Sequence, residues 1–262
     1  MVKSATATYV YCVVASARRP RLTRVPAGLP GSGPVRLLEV DPEANLHLAV
    51  SDVPLRRYGE DAIQRGLSDL DWVSRAAVAH ESVIEYFIDA DAVLPMKLFT
   101  IFTSDERAVA HIRADRQRIA SLVKRLANHH EWGVRVVLAP TRAGTARRPA
   151  AQPVTDRASG VAYLTRKKAQ RDAARELAER AKATVAELYD RLAARARLSK
   201  RRVPGELPVQ GGPLLLDAAF LVPRSRTGSF RALAAREART LARDGYGVTL
   251  TGPWPPYTFI QD

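Results

Sequence analysis

The stretch from Ser159 to about Ser199 limits the possible folds more than any other, because it contains no proline and no glycine after Gly160. It is rich in Ala, Arg, Glu and Leu, the residues that favour helices. This stretch predicts one continuous amphipathic helix, about 60 Å long at about 1.5 Å per residue. Its apolar stripe is spaced by three or four residues: Leu177, Ala181, Val185, Leu188, Leu192 and Ala196.

Such a helix is longer than one face of a small sheet can cover. Its surplus must therefore brace another domain, pair with a partner helix or project into solvent. An arginine of this helix is also our expected partner for Asp217, a carboxylate inside an apolar strand that needs a counter-charge if it is buried.

The remaining sequence alternates short β-like runs with amphipathic helices. The aromatic and β-branched run around Tyr9–Val14 predicts a first strand rather than the apolar core of a secretory leader. Residues 94–102 are apolar on both alternating faces and predict a single covered strand. A helix capped by Ser104 is expected to continue to about residue 126. Further strands are predicted at 35–40, 46–53, 132–138, 214–222 and 246–250, and further helices at 69–89 and 229–243.

A change of composition divides the chain. Residues 140–158 contain Thr, Arg, Ala, Gly and Pro with few apolar anchors, which is typical of a linker. We therefore expect an N-terminal domain over 1–139, a linker over 140–158 and a C-terminal domain over 159–262. The order of elements predicts an α+β fold with two domains and mainly antiparallel sheets.

The charge of the chain favours a polyanionic partner, but only weakly. The 41 basic and 27 acidic residues give a formal net charge of +14, and most of the basic residues are arginine. A scattered excess of basic residues on solvated helix faces explains this charge better than a dedicated groove, so nucleic acid is an unlikely partner.

Cys12 is the only cysteine, which suits a reducing cytosol and excludes a cysteine-based zinc site. No apolar run approaches the length of a membrane helix.

The candidate chemical groups favour structural roles. His80 shares the apolar stripe of Val73, Ile84 and Phe87, whereas Glu81 and Glu85 point elsewhere, so a buried structural histidine is preferred over a metal or acid–base site. Asp217 is interpreted as a buried structural carboxylate, because no nucleophile or second carboxylate accompanies it. The sequence has no phosphate-binding loop, dinucleotide fingerprint or nucleophile elbow. It therefore predicts no enzyme, no cofactor and no metal.

The C-terminal segment contains three prolines with two aromatic residues, directly after the last predicted strand. Prolines donate no backbone hydrogen bond, so this segment continues neither a strand nor a helix. We expect Trp254 and Tyr257 to fold back as a lid on the C-terminal sheet, with Pro255 and Pro256 stiffening the turn. The alternative is that these four residues present an edge to a partner.

Several of these motifs together resemble the gas vesicle protein F/L family, and the resemblance covers nearly the whole chain. Its most specific part is the terminal Gly-Pro-Trp-Pro-Pro-Tyr. The other matching segments are Trp72 with 80–83, 93–100, 131–134, Gly160 with Tyr163, Leu164, Lys167 and Lys168, and 216–222.

This resemblance implies an accessory protein of gas vesicle assembly without known catalytic activity. It also implies two α+β domains, the second ferredoxin-like with a long helix. The implied partners are the small hydrophobic shell protein and other accessory proteins, and the implied location is the gas vesicle, or the cytoplasm before assembly. The alternative function is a basic adaptor that binds nucleic acid or an anionic surface.

Overall fold

The computed structural model describes residues 5–138, 157–202 and 212–260. The chain forms two compact units, one made of Met1–Trp132 with Gly252–Asp262 and the other of Gly133–Thr251. This grouping differs from the expected boundaries, because the last residues belong to the first unit rather than to the second. The expected domains over 1–139 and 159–262 stay a prediction, and the expected linker lies almost wholly outside the described residues.

The first unit contains a mainly antiparallel sheet of five strands. Its strands are β1 (Thr6–Ala15), β2 (Arg36–Asp41), β3 (Leu46–Pro54), β4 (Ala92–Pro95) and β5 (Ile101–Phe102). The order is β2-β3-β1-β4, and β5 also pairs with β1. Strand β1 is buried along almost its whole length, as its run of apolar residues requires when a strand is covered on both faces.

The described part of the first unit also contains five α-helices: α1 (Leu55–Tyr58), α2 (Glu60–Gly66), α3 (Leu70–Tyr86), α4 (Asp105–Ala114) and α5 (Arg116–Leu126). The predicted cap at Ser104 is confirmed, since its side chain accepts a hydrogen bond from the backbone N–H of Arg107. The single helix expected after it is wrong. The backbone leaves helical geometry at Asp115, with φ −104° and ψ 22°, which separates α4 from α5.

The single strand expected over 94–102 is also wrong. Strand β4 ends at Pro95, which has no N–H to donate to a neighbouring strand. A loop of residues 96–100 follows β4, and β5 begins only at Ile101. We call residues 96–100 the motif loop. Phe99 within this loop has φ +65°, a left-handed conformation that a regular strand excludes.

The described residues of the second unit include a four-stranded sheet and two helices. The strands are β6 (His129–Leu138), β7 (Leu198–Arg201), β8 (Leu214–Pro223) and β9 (Tyr246–Trp254), and the helices are α6 (Arg157–Ala193) and α7 (Thr227–Arg243). The strand order is β7-β8-β6-β9, with β7 antiparallel to β8. Aromatic contacts join both helices to the sheet: the Phe220 ring centroid lies 5.5 Å from that of Tyr189 and 5.6 Å from that of Phe230.

The long helix α6 is confirmed in kind but ends at Ala193, before the expected 199, and the short strand β7 follows. Its C-terminal half buries the predicted stripe at Ala181, Val185, Leu188 and Leu192. By contrast, every side chain from 162 to 180 is exposed. None of the described helices is both long enough and apolar enough to span a membrane.

The α+β class with two mainly antiparallel sheets is therefore confirmed, while the ferredoxin-like character of the second unit stays a prediction.

The two halves of α6 predict losses of stability of different size for the same substitution. Leu188→Ala removes a fully buried side chain and should lower the free energy of unfolding by about 2–5 kcal/mol. Leu177→Ala is the matched control, since Leu177 is 53% exposed, and should change it by less than about 0.5 kcal/mol. Urea denaturation of both variants measures the difference. Equal losses would contradict the division of the helix.

Candidate partner-binding groove

A chain of hydrogen bonds fixes the motif loop to the core of the first unit. The backbone N–H of Phe99 donates to the Tyr9 hydroxyl at 3.2 Å, and this hydroxyl lies 2.7 Å from His80 Nδ1. His80 Nε2 lies 3.1 Å from the carbonyl oxygen of Met96. Because a carbonyl only accepts, Nε2 carries the imidazole proton, and the Tyr9 hydroxyl donates to Nδ1. Both ends of the chain therefore hold backbone groups of the motif loop.

Stacking on the other side of the loop adds to this restraint. The rings of Trp72 and Phe99 lie 5.1 Å apart at an interplanar angle of 18°. Trp72 lies in the first turn of α3, where its backbone N–H donates to the capping carboxylate of Asp69. Two independent contacts therefore hold Phe99 in its left-handed conformation.

Burial controls the protonation of this cluster. It lowers the pKa of His80 to about 4, because the imidazolium would lose its hydration. It raises the pKa of Tyr9 and of Cys12 for the corresponding reason, since their charged forms are anions. At neutral pH the three groups are therefore uncharged, and the hydrogen bond between the Tyr9 hydroxyl and His80 Nδ1 requires this of His80.

The residues after β9 form a tail, residues 255–260, that is held against the first unit. Pro255 and Pro256 are buried, and Phe259 is 2% exposed. The tail is clamped by the carboxylate of Glu131, which is 3% exposed and accepts from the N–H of Thr258 at 2.7 Å and from its hydroxyl at 2.6 Å. Such charge-assisted hydrogen bonds are among the strongest that neutral donors make.

Further contacts fix the chain on either side of this clamp. Arg125 Nη2 donates to the carbonyl oxygen of Phe259 at 2.6 Å. Before the tail, Gly252 has φ +120°, and a Cβ at this position would lie 2.9 Å from the carbonyl oxygen of Glu131. Only glycine allows this approach of the two backbones without a shift.

The motif loop and the tail border one groove of about 740 Å³, which we call the tail groove. Most of its lining is apolar, and basic or imidazole groups are contributed by His80, Lys97, His111 and Arg118. The groove therefore suits an apolar segment more than a charged small molecule. Its apolar side chains are Val13, Leu94, Pro95, Met96, Leu98, Ile119, Leu122, Tyr257 and Ile260.

The amino-acid sequence matches a known protein family over nearly its whole length. The family model described as "Gas vesicle synthesis protein GvpL/GvpF" matches residues 7–261. The chain belongs to the GvpL/GvpF family. This membership gives it a role in gas vesicles, and the family is not a known family of enzymes.

Curated relatives and solved structures agree with this assignment. The chain is 32% identical to gas vesicle protein L of a Streptomyces species over 257 residues, which cover 96% of this chain and 91% of the relative. It is 25% identical over 281 residues to gas vesicle protein L2 of Halobacterium salinarum, covering 97% and 91% of the two chains.

Two crystal structures of GvpF share the fold. The structure from Anabaena has a TM-score of 0.67 at 16% identity and covers 98% of this chain and 97% of its own. The structure from Microcystis aeruginosa has a TM-score of 0.66 at 14% identity, with 98% and 99% coverage.

The residues singled out in the sequence lie at different places. His80 and Tyr257 both line the tail groove, whereas Trp254 is the half-buried last residue of β9. We expected Trp254 and Tyr257 to fold back on the C-terminal sheet. Instead, Tyr257 packs against the core of the first unit, and burial with the nearby carboxylates of Glu81 and Glu85 raises the pKa of its hydroxyl.

Asp217 lies in the second unit, with its side chain 10% exposed. Its carboxylate accepts from Arg135 Nε at 3.1 Å and from Arg202 Nε at 2.9 Å. The expectation of a partner from the long helix is therefore wrong, because both arginines lie on or directly after neighbouring strands of its own sheet. Two cations beside one carboxylate supply the compensation that a shielded charge needs.

Sequence reasoning missed the residues that hold the tail. Glu131 carried a signal, since it is an acidic residue at the start of a strand whose next residues are buried. Arg125 and Thr258 carried no such signal, because the sequence is the same whether these side chains face solvent or hold the tail. Within the described ranges, no three His, Cys, Asp or Glu side chains gather closely enough to hold a metal ion.

The lowered pKa of His80 predicts acid sensitivity of the first unit. In the unfolded chain His80 binds a proton near pH 6.5, but in the folded chain only near pH 4. Its contribution to stability is therefore complete above about pH 6.5 and is lost as the pH falls toward 4. Between pH 7.5 and 5 the loss is about 2 kcal/mol, at about 1.4 kcal/mol per pKa unit.

Urea unfolding of the protein and of His80→Gln at both pH values measures this loss. The variant should be less stable at pH 7.5. On acidification it should lose about 2 kcal/mol less than the unmodified protein, because it lacks the His80 imidazole, while all other titrating groups are the same in both proteins. An identical pH dependence would show that His80 is not the sensitive group.

The clamp on the tail predicts an energetic coupling between its two partners. A double-mutant cycle with Glu131→Gln and Thr258→Val should give a coupling energy of about 1–3 kcal/mol, since the hydroxyl of Thr258 donates its hydrogen bond to a buried charge. Hydrogen exchange of the tail amides should accelerate in either single variant. Additive effects on stability would count against the clamp.

Proposed function

We propose that this GvpL/GvpF protein is an assembly factor that binds the small hydrophobic shell protein of the gas vesicle through the tail groove, and that it also binds other accessory proteins. One observation carries this proposal. Two segments far apart in the sequence, the motif loop and the tail, line the same largely apolar groove, and both overlap the motifs by which the chain resembles its family.

The physical reason is the problem that such a subunit poses. A hydrophobic shell protein must be kept from premature association before it is added to a shell, and this requires an apolar surface of limited size rather than a catalytic cleft. The tail groove offers such a surface within a protein whose charge of +14 keeps it soluble and apart from its own copies. We propose the gas vesicle, and the cytoplasm before assembly, as its location.

The tail itself is proposed to act as a structural lid of the first unit, with one side chain facing the partner. Pro255, Pro256 and Phe259 are buried and support the first role, while Tyr257 lines the groove and supports the second. Trp254 and Tyr257 can be separated by substitution. We propose that Trp254, the last residue of β9, belongs to the same lid. If Trp254→Ala left the melting temperature unchanged but abolished shell-protein binding, this assignment would be wrong.

A binding assay with purified shell protein from the same source tests the proposal. Capture should persist between about 0.1 and 1 M salt, a range that shortens the Debye length from about 10 to 3 Å, because apolar contacts are not screened. Capture that disappears at high salt, with nucleic acid in the eluate, would favour the basic adaptor instead. Its charge would come from exposed residues of α6 such as Lys168, Arg171 and Arg175.

A pair of charged substitutions tests the site. Leu98→Glu places a carboxylate in the tail groove and should weaken shell-protein binding at least tenfold, about 1.4 kcal/mol. Val78→Glu is the matched control, since Val78 is a 62% exposed residue of α3 that does not line the groove. Both variants should keep their melting temperature within a few degrees. Equal binding by Leu98→Glu and the unmodified protein would exclude this groove.

A further inference from the structure

A second groove of the first unit lies between α4, α5 and the turn that joins β2 to β3. Its volume is about 650 Å³. The floor is closed by side chains that are at most 7% exposed: Val40, Leu46, Ile112 and Ile119. Apolar side chains also form part of the walls, contributed by Ala44, Ala120 and Val123. The groove is therefore a second preformed apolar surface, and of its lining only Ile119 is shared with the tail groove.

An irregularity in β2 shapes this groove. The pairing of β2 with β3 shifts register between Glu39 and Asp41, so Val40 has no opposite residue on β3. Its carbonyl oxygen instead accepts from Arg113 Nε at 2.8 Å. This bond ties α4 to the strand and holds the guanidinium group at the rim.

The rim is basic, because three cations outnumber its one carboxylate. Arg113, Arg116 and Lys124 are all exposed lining residues, and among the described residues no ion pair involves any of them. Asp41 is the one carboxylate among the residues that line this groove. Its Oδ1 accepts from the N–H groups of Glu43 and Ala44 at 3.0 and 3.2 Å, so it is engaged in its own turn.

This combination defines the occupant. A purely apolar segment would leave three cations facing it unpaired, and a purely acidic one would leave the floor in contact with water. A second copy of this chain is disfavoured because each copy carries a charge of +14. We propose that this groove docks a segment of another protein that is apolar where it meets the floor and carries aspartate or glutamate where it meets Arg113, Arg116 and Lys124.

The docking site has a consequence beyond shell-protein capture. Because the two grooves have almost entirely separate linings, each can be occupied by a different protein. The protein would then hold two partners at the same time. This inference does not require that the shell protein occupies the tail groove, so the two proposals can fail separately.

Site-specific photocrosslinking in cells that assemble gas vesicles tests the second groove. A photoreactive amino acid replaces Ala120 in the full chain, which is expressed with the gas vesicle genes of its source, and the crosslinked peptides are identified by mass spectrometry. The control replaces Ala110, an exposed alanine of α4 outside both grooves. We expect Ala120 to give a peptide of another protein that combines apolar with acidic residues, and Ala110 not to give it.

Charge reversal tests the chemistry of the rim. Arg116→Glu combined with Lys124→Glu should reduce the Ala120 adduct at least tenfold, while capture of purified shell protein stays unchanged. Replacing the acidic residues of the identified peptide by lysine should then restore the adduct with the reversed protein.

Other results would overturn the proposal. No adduct at Ala120, the same adduct at Ala110, an adduct with a second copy of the chain, or a peptide without acidic residues would each do so. So would an adduct that survives the charge reversal.

Discussion

The burial of an uncharged histidine beneath the motif loop is the constraint on which the first unit depends. His80 bonds to the Tyr9 hydroxyl through one ring nitrogen and to the Met96 carbonyl through the other, so a strand, a helix and a loop meet at one imidazole. A protonated ring has no acceptor atom for the Tyr9 hydroxyl, and burial disfavours that form. The geometry of the groove wall is therefore tied to the neutral state of one side chain.

The tail depends on a second buried group, the carboxylate of Glu131. Its two bonds to Thr258 hold a segment that has few backbone donors of its own, because prolines occupy two of its positions. The tail thus belongs to the first unit, where it lines a groove together with residues that lie between Val13 and Leu122 in the sequence. Two proposed docking surfaces follow from this unit, one bordered by the tail and one by a basic rim.

Much of the fold was predictable because periodicity is a local property. The long helix, most strands and the cap at Ser104 follow from spacing and from capping chemistry. The strand expected over 94–102 failed for one local reason, Pro95, and for one reason that no local pattern contains, the conformation of Phe99. Pro95 and the left-handed Phe99 interrupt the strand, and the contacts that stabilise Phe99 come from Tyr9 and Trp72, which are distant in sequence. Asp217 failed similarly, since its arginine partners lie on or directly after neighbouring strands rather than on the helix.

The sequence by itself determined the α+β class, the long helix and the family, since these depend on composition, periodicity and contiguous motifs. It also indicated that His80 prefers a structural role, because the residue lies on an apolar stripe. Only the tertiary structure decided which motifs meet, that the tail joins the first unit, and that two separate grooves exist. The physical reason is that hydrogen bonds such as Glu131 to Thr258 and Tyr9 to His80 join residues more than 70 positions apart, and a local pattern carries no record of such partners.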